Sequence, residues 1–155
     1  MVFDHQFVFF LIRWAHVTSM ALMLGGALLL WGLSVKARGL AVADQNRMLL
    51  FVAERNELFF WIALGVIVMT GVGNLGAFGN ALPTNQTAWG QKFAIKLGFV
   101  LVFILLSLVR TLLVARLGTA DGEMGSLAGI FQSMYVGTSF FAITILFLAM
   151  ALAHG

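Results

Sequence analysis

Three ionisable side chains interrupt stretches of this sequence that are otherwise apolar: Arg13, His16 and Lys96. At the centre of a membrane-spanning helix such a residue costs about 2.5–3.5 kcal/mol or more, so each one requires a partner or a function. Arg13 and His16 are three residues apart and therefore share one side of a helix. Lys96 belongs to another apolar stretch, at a similar depth from the same end. We therefore expect a helical bundle to bring the three residues together.

His16 offers an imidazole nitrogen that can ligate haem iron, and haem propionates would supply the negative charge that Arg13 and Lys96 require. Of the chain's carboxylates, Asp4 is the one expected on the same side of the predicted bundle as Arg13 and Lys96. Haem b would thus explain three costly residues with a single ligand. Its second axial ligand is unassigned, since Met20 shares a helix with His16. The structural alternative is a histidine bonded to a neighbouring carbonyl and cations that extend to lipid phosphates.

Copper is the alternative cofactor. His16, Met20 and Met23 follow one another at spacings of four and three residues, so they form one helical face. An imidazole with two soft thioethers suits Cu(I). Methionine is also an ordinary filler of apolar cores, and the charges of Arg13 and Lys96 would repel a metal cation. Haem b is therefore the leading hypothesis and copper the second.

The elements that position these residues must be helices in a lipid bilayer. Hydrophobic residues make up 61% of the 155 residues and charged residues 10%, whereas a soluble domain is about a quarter charged. The chain contains no cysteine, which excludes disulfides and thiolate metal sites. The net charge of +3 does not indicate nucleic acid, because the basic residues lie near the ends of apolar stretches, where lipid head groups are their natural partners.

Four stretches reach the roughly 20 apolar residues that a helix needs to cross a bilayer. They cover residues 7–33, 58–78, 89–114 and 130–153. We predict an all-α fold: a single transmembrane domain over residues 1–155, built as a four-helix bundle. We also expect Asp44 to cap a helix over the segment 44–57, which carries the second helix beyond the head groups.

The charges of the connecting segments predict the orientation. The connection after the first span and the end of the third are basic, with Lys36, Arg38, Arg47, Arg55 and Arg116. Short connections rich in Lys and Arg stay in the cytoplasm, so both termini should face the periplasm or the exterior. The expected location is a bacterial inner membrane, with the lipid bilayer and a homo-oligomer or larger membrane complex as partners.

Other polar residues in the spans suggest structural roles. Arg110 is expected to reach the cytoplasmic interface, and Tyr135, Thr138 and Ser139 to form hydrogen bonds between helices. A nucleophile with its base, paired carboxylates and a phosphate-binding loop cannot be identified. The sequence therefore leaves open whether the protein is an enzyme.

The sequence resembles a known family in its first helix. Arg13-Trp14-Ala15-His16, followed by Gly25-Gly26, resembles the first helix of the CopD-like membrane domain, named for copper resistance. The same opening is similar to that of HemJ-type protoporphyrinogen oxidases.

Later parts of the chain extend this resemblance to about residues 13–116. The run from Val68 to Leu75 resembles the end of the next CopD helix. Trp89-Gly90, Lys96-Leu97 and Arg110 resemble the third helix of that domain.

The resemblance implies two different functions. CopD-like domains imply copper uptake or resistance, whereas HemJ-type proteins imply haem b binding and oxidation of a tetrapyrrole precursor, with His16 and Lys96 as the matching positions. A third hypothesis is a cofactor-free accessory subunit of a respiratory or photosynthetic complex.

Overall fold

The computed structural model describes residues 5–76, 87–119 and 125–153, and all regular structure in these ranges is helical. The helices are α1 (His5–Lys36), α2 (Val42–Gly76), α3 (Ala88–Gly118) and α4 (Ala128–Ala153), with a short 3₁₀ turn at Ala37–Gly39. They contain the four predicted spans, except for residues 77 and 78, which lie outside the described ranges. The all-α prediction is confirmed for the described part of the chain.

Three of these helices are long and apolar enough to cross a membrane, over the segments Gln6–Gly39, Trp89–Gly118 and Ala128–Leu152. The remaining helix, α2, carries charges throughout its N-terminal half and has no ionisable residue after Glu57. Large apolar side chains also dominate the outer surface, with Phe147 70% exposed. A surface of this kind requires lipid, so the chain is a membrane protein.

The longest helix is α2, with 35 residues. It includes the segment 44–57, as predicted, and begins where the Gln45 N–H donates to the Ala41 carbonyl at 2.9 Å. Asp44 therefore lies in the first turn, where its negative charge still favours the positive end of the helix dipole.

The connectivity places α1 and α3 diagonally across the bundle. Only residues 37–41 separate α1 from α2, so these helices are antiparallel neighbours. α1 packs mainly on α2 and α4, while α3 packs on α4 and more loosely on α2.

The apolar interior consists of two clusters. The cluster near the α1–α2 connection contains, among others, Leu30, Leu49, Leu127, Phe131 and Tyr135. The other cluster lies further along the bundle and contains, among others, Met23, Phe60, Leu64, Phe103 and Ile145. A layer of polar side chains contacts both clusters and is described below.

Two buried amides at the start of α2 hold the beginning of α4. The Asn46 side chain donates to the Gly125 carbonyl at 3.1 Å and accepts from the Leu127 N–H at 3.0 Å. Ser126 donates to the Gln45 amide oxygen at 2.7 Å. The bond to Leu127 satisfies an N–H group that the start of a helix leaves without an intrahelical partner.

Candidate functional site

His16 lies on α1 and packs against α2. Its Nδ1 is 2.8 Å from the hydroxyl oxygen of Thr70. Its Cε1 is 3.8 Å from the position that a Cβ atom would take at Gly71. α2 therefore presents a hydroxyl group and a glycine to the imidazole, and a Cβ atom at the glycine would come into ordinary van der Waals contact with the ring.

The hydrogen bonds of Thr70 determine which nitrogen of His16 carries the proton. The Thr70 hydroxyl donates its one proton toward the Val66 carbonyl at 2.6 Å, with the Ile67 carbonyl further away at 3.2 Å. Its lone pairs are then free to accept from Nδ1–H of His16. With Nδ1 as the donor, Nε2 of a neutral imidazole carries a lone pair that could ligate a metal ion.

Lys96, on α3, lies within electrostatic range of His16. Its side chain is half-buried, and no described carboxylate forms an ion pair with it. No hydrogen bond joins the two residues within the described ranges.

Arg13 takes a different position. It is exposed on α1, next to Trp14, which is 60% exposed. Within the described ranges, Arg13 has neither an ion pair nor a hydrogen bond. It is available to an anion at the bundle surface and does not take part in the contact of His16 with α2.

The two methionines of the copper hypothesis lie in apolar surroundings. Met23 is 5% exposed and belongs to the cluster with Phe60 and Phe103, and Met20 packs against the same cluster. In the described ranges, no group of three or more His, Asp or Glu side chains is placed to hold a metal ion. The packing favours a core role for both thioethers.

A second polar cluster, which the sequence analysis did not find, lies between the apolar clusters. The Arg110 guanidinium donates to both carboxylate oxygens of Glu57, from Nε at 2.8 Å and from Nη2 at 3.0 Å. Each residue is 5% exposed. The expectation that Arg110 extends to the interface is therefore wrong, because a carboxylate on a neighbouring helix compensates its charge within the bundle.

Glu57 accepts two further hydrogen bonds. The Thr111 hydroxyl donates to Oε2 at 2.5 Å and the Tyr135 phenol donates to Oε1 at 3.1 Å. With the two bonds from Arg110, the carboxylate uses all of its roughly four lone-pair directions. The indole N–H of Trp61 donates to Thr111 at 2.9 Å and extends the network.

Arg110 is held on its other sides as well. Its Nη1 donates to Thr138 at 2.8 Å, and its guanidinium carbon lies 4.2 Å from the centre of the Phe60 ring. The prediction that Tyr135 and Thr138 bond between helices is confirmed. For Ser139 it stays a prediction, since its buried hydroxyl has no partner within the described ranges.

The network joins α2, α3 and α4 through a net-neutral pair, which indicates a structural role. One signal in the sequence could have suggested it. Arg110 interrupts the most apolar part of α3, and Glu57 is the last carboxylate before the uncharged half of α2. An arginine at that place needs a buried anion, and Glu57 is the nearest candidate along α2.

Comparison with known proteins does not identify the chain. No protein-family model matches the sequence, and neither a curated protein nor a solved structure matches it. The resemblance to CopD-like and HemJ-type proteins stays a prediction based on short motifs. Function is therefore argued from the site.

Proposed function

We propose that this chain is a four-span protein of a bacterial inner membrane that holds haem b through His16 and serves electron transfer or membrane redox chemistry. The observation that carries the proposal is the hydrogen bond between Nδ1 of His16 and Thr70. Histidines that ligate a metal typically donate their other ring N–H to an acceptor, which fixes the tautomer and the ring orientation. The bond to Thr70 does the same and leaves Nε2 for the iron.

The remaining residues of the site fit an anionic cofactor. Lys96 is a half-buried cation without a described counter-ion, suited to one propionate inside the bundle. Arg13, on the exposed side of α1, is suited to the other. Gly71 leaves space beside the His16 ring. When bound, the haem would supply an iron that exchanges single electrons, and the protein would orient it and compensate its charge.

The orientation in the membrane is supported by the distribution of charge. α1 ends and α2 begins at the end of the bundle that carries Lys36, Arg38 and Arg47. By the preference of basic segments for the cytoplasm, this end faces inward and both termini face outward. The uncharged C-terminal half of α2 would form the fourth span, next to the three helices that qualify by length and composition.

A haem titration of the purified apoprotein in mild detergent tests the proposal. Wild-type protein should bind one haem with a sharp Soret band, and His16→Ala should lose that band. The double variant Met20→Leu/Met23→Leu is the matched control, since it leaves His16 intact and should bind haem like the wild type.

The outcomes also separate the other two hypotheses. The copper hypothesis would replace the haem hypothesis under two conditions. The wild type would bind Cu(I) but not haem, and the double methionine variant would no longer bind Cu(I). A folded wild type that binds neither, and that is stable only with additional subunits, would instead indicate the accessory role.

A further inference from the structure

The end of the bundle near the α1–α2 connection is unevenly polar around its circumference. Here α1 and α2 lie side by side, since the Asn56 side chain contacts Gly26. Over this stretch α1 exposes apolar residues, namely Leu28, Leu29, Trp31 and Val35. The adjacent half of α2 exposes mainly charged residues, namely Asp44, Arg47, Glu54 and Arg55. At similar depths, one side therefore suits hydrocarbon and the other suits head groups.

The charged side of α2 continues onto α3. Arg47, Phe51 and Arg55 follow at intervals of four residues and share a helical face. Phe51 is 62% exposed, and the Arg55 guanidinium lies 5.6 Å from the centre of its ring. Glu54 contacts the last residue of α3, Gly118, so this end of α3 lies next to the charged half of α2, and the exposed Arg116 is at the same end of the bundle. We name Arg47, Phe51, Arg55 and Arg116 the α2–α3 basic face.

Positive charge dominates this end of the molecule. Its exposed basic residues in the described ranges are Lys36, Arg38, Arg47, Arg55 and Arg116. Its exposed acidic residues in those ranges are Asp44 and Glu54, which leaves an excess of three positive charges. None of these seven residues forms an ion pair within the part of the chain that the structure describes. The ion pair found there, between Arg110 and Glu57, is buried inside the bundle.

We propose that the α2–α3 basic face binds the head groups of anionic phospholipids. Charge complementarity favours this occupant, because each basic residue near a membrane surface is attracted to anionic lipid. Arginine suits phosphate in particular, since its planar fork can donate two hydrogen bonds to the same group. Phe51 provides the apolar part of the contact, with its ring beside the acyl chains and the Arg55 side chain lying over it. The proposal does not depend on haem binding.

Mass spectrometry of the intact protein in detergent, titrated with phosphatidylglycerol or phosphatidylcholine, tests the proposal because it resolves single bound lipids. The wild type should bind phosphatidylglycerol more tightly than phosphatidylcholine. Arg55→Gln should weaken phosphatidylglycerol binding about fivefold, which corresponds to about 1 kcal/mol for a basic residue near a membrane surface. Arg55→Lys keeps the charge and should retain most of the preference.

Lys92→Gln is the matched control, since Lys92 is an exposed cation on α3 toward the opposite end. It should leave the preference for phosphatidylglycerol unchanged. The proposal is overturned if the wild type binds the two lipids equally, or if Arg55→Gln and Lys92→Gln weaken phosphatidylglycerol binding to the same extent. Equal binding together with capture of an acidic soluble protein by the wild type would assign the face to a protein partner.

Discussion

Neutralising Glu57 should destabilise the bundle far more than neutralising any exposed charge. In Glu57→Gln, Arg110 loses the carboxylate that accepts from both its Nε and its Nη2, and it remains 5% exposed in a largely apolar interior. Breaking a buried ion pair in this way costs about 3–5 kcal/mol, because it leaves an uncompensated buried charge. The Thr111 and Tyr135 hydroxyls would also have to share one amide oxygen, which adds to the loss.

Replacing both partners gives the sharper test. The double variant Glu57→Gln/Arg110→Met removes both charges and leaves the hydroxyls of Thr111 and Tyr135 an amide oxygen to bond. It should be more stable than Glu57→Gln, because no unpaired charge remains, so the effects of the two substitutions should not add.

Unfolding in mixed micelles with increasing sodium dodecyl sulfate, followed by far-UV circular dichroism, measures these differences. Arg55→Gln serves as the control for an exposed arginine and should change the free energy of unfolding by about 0.5 kcal/mol or less. A loss below about 1 kcal/mol for Glu57→Gln, far short of the range for a buried pair, would refute the structural role of the network. Additive effects of the two substitutions in the double variant would also refute the structural role of the network.

Three further predictions concern the His16 site and the start of α4. Thr70→Val should lower haem affinity about 10–100-fold in a spectroscopic titration, and unchanged affinity would contradict the tautomer argument. Gly71→Leu should also weaken haem binding by crowding the His16 ring. Gly65→Leu is the control and should leave haem binding unchanged, because no atom lies within 4 Å of the new Cβ. Equal effects of the two substitutions would show that the space beside the ring is irrelevant. Asn46→Leu should destabilise the protein by about 1–3 kcal/mol, because it leaves the buried Leu127 N–H unpaired, and an unchanged unfolding midpoint would argue against that role.

The helices could be predicted from the sequence because the length of an apolar stretch is a local property. The start of α2 was predicted less exactly: Asp44 was expected as the helix cap, but the helix begins at Val42, so that the cap position falls on Ala41. The energetic difference is small, because a carboxylate stabilises a helix both at the cap position and in the first turn.

Contacts between helices could be predicted only in part, since they depend on how each helix is rotated. Arg13 and His16 are three residues apart, which separates their directions by about 60° around the axis. That rotation is enough to leave Arg13 exposed while His16 reaches α2. The pairing of Glu57 with Arg110 was missed because the charged run before Leu58 resembled an interfacial segment, whereas the structure turns Glu57 inward.

The most direct test of the central claim is the absorption spectrum of the protein purified in mild detergent from haem-supplemented cells. It is recorded after oxidation in air and again after reduction with dithionite. The account predicts a Soret band whose α and β bands sharpen on reduction in the wild type and are absent in His16→Ala. A featureless spectrum from folded wild-type protein would contradict the account, as would an unchanged haem spectrum in His16→Ala.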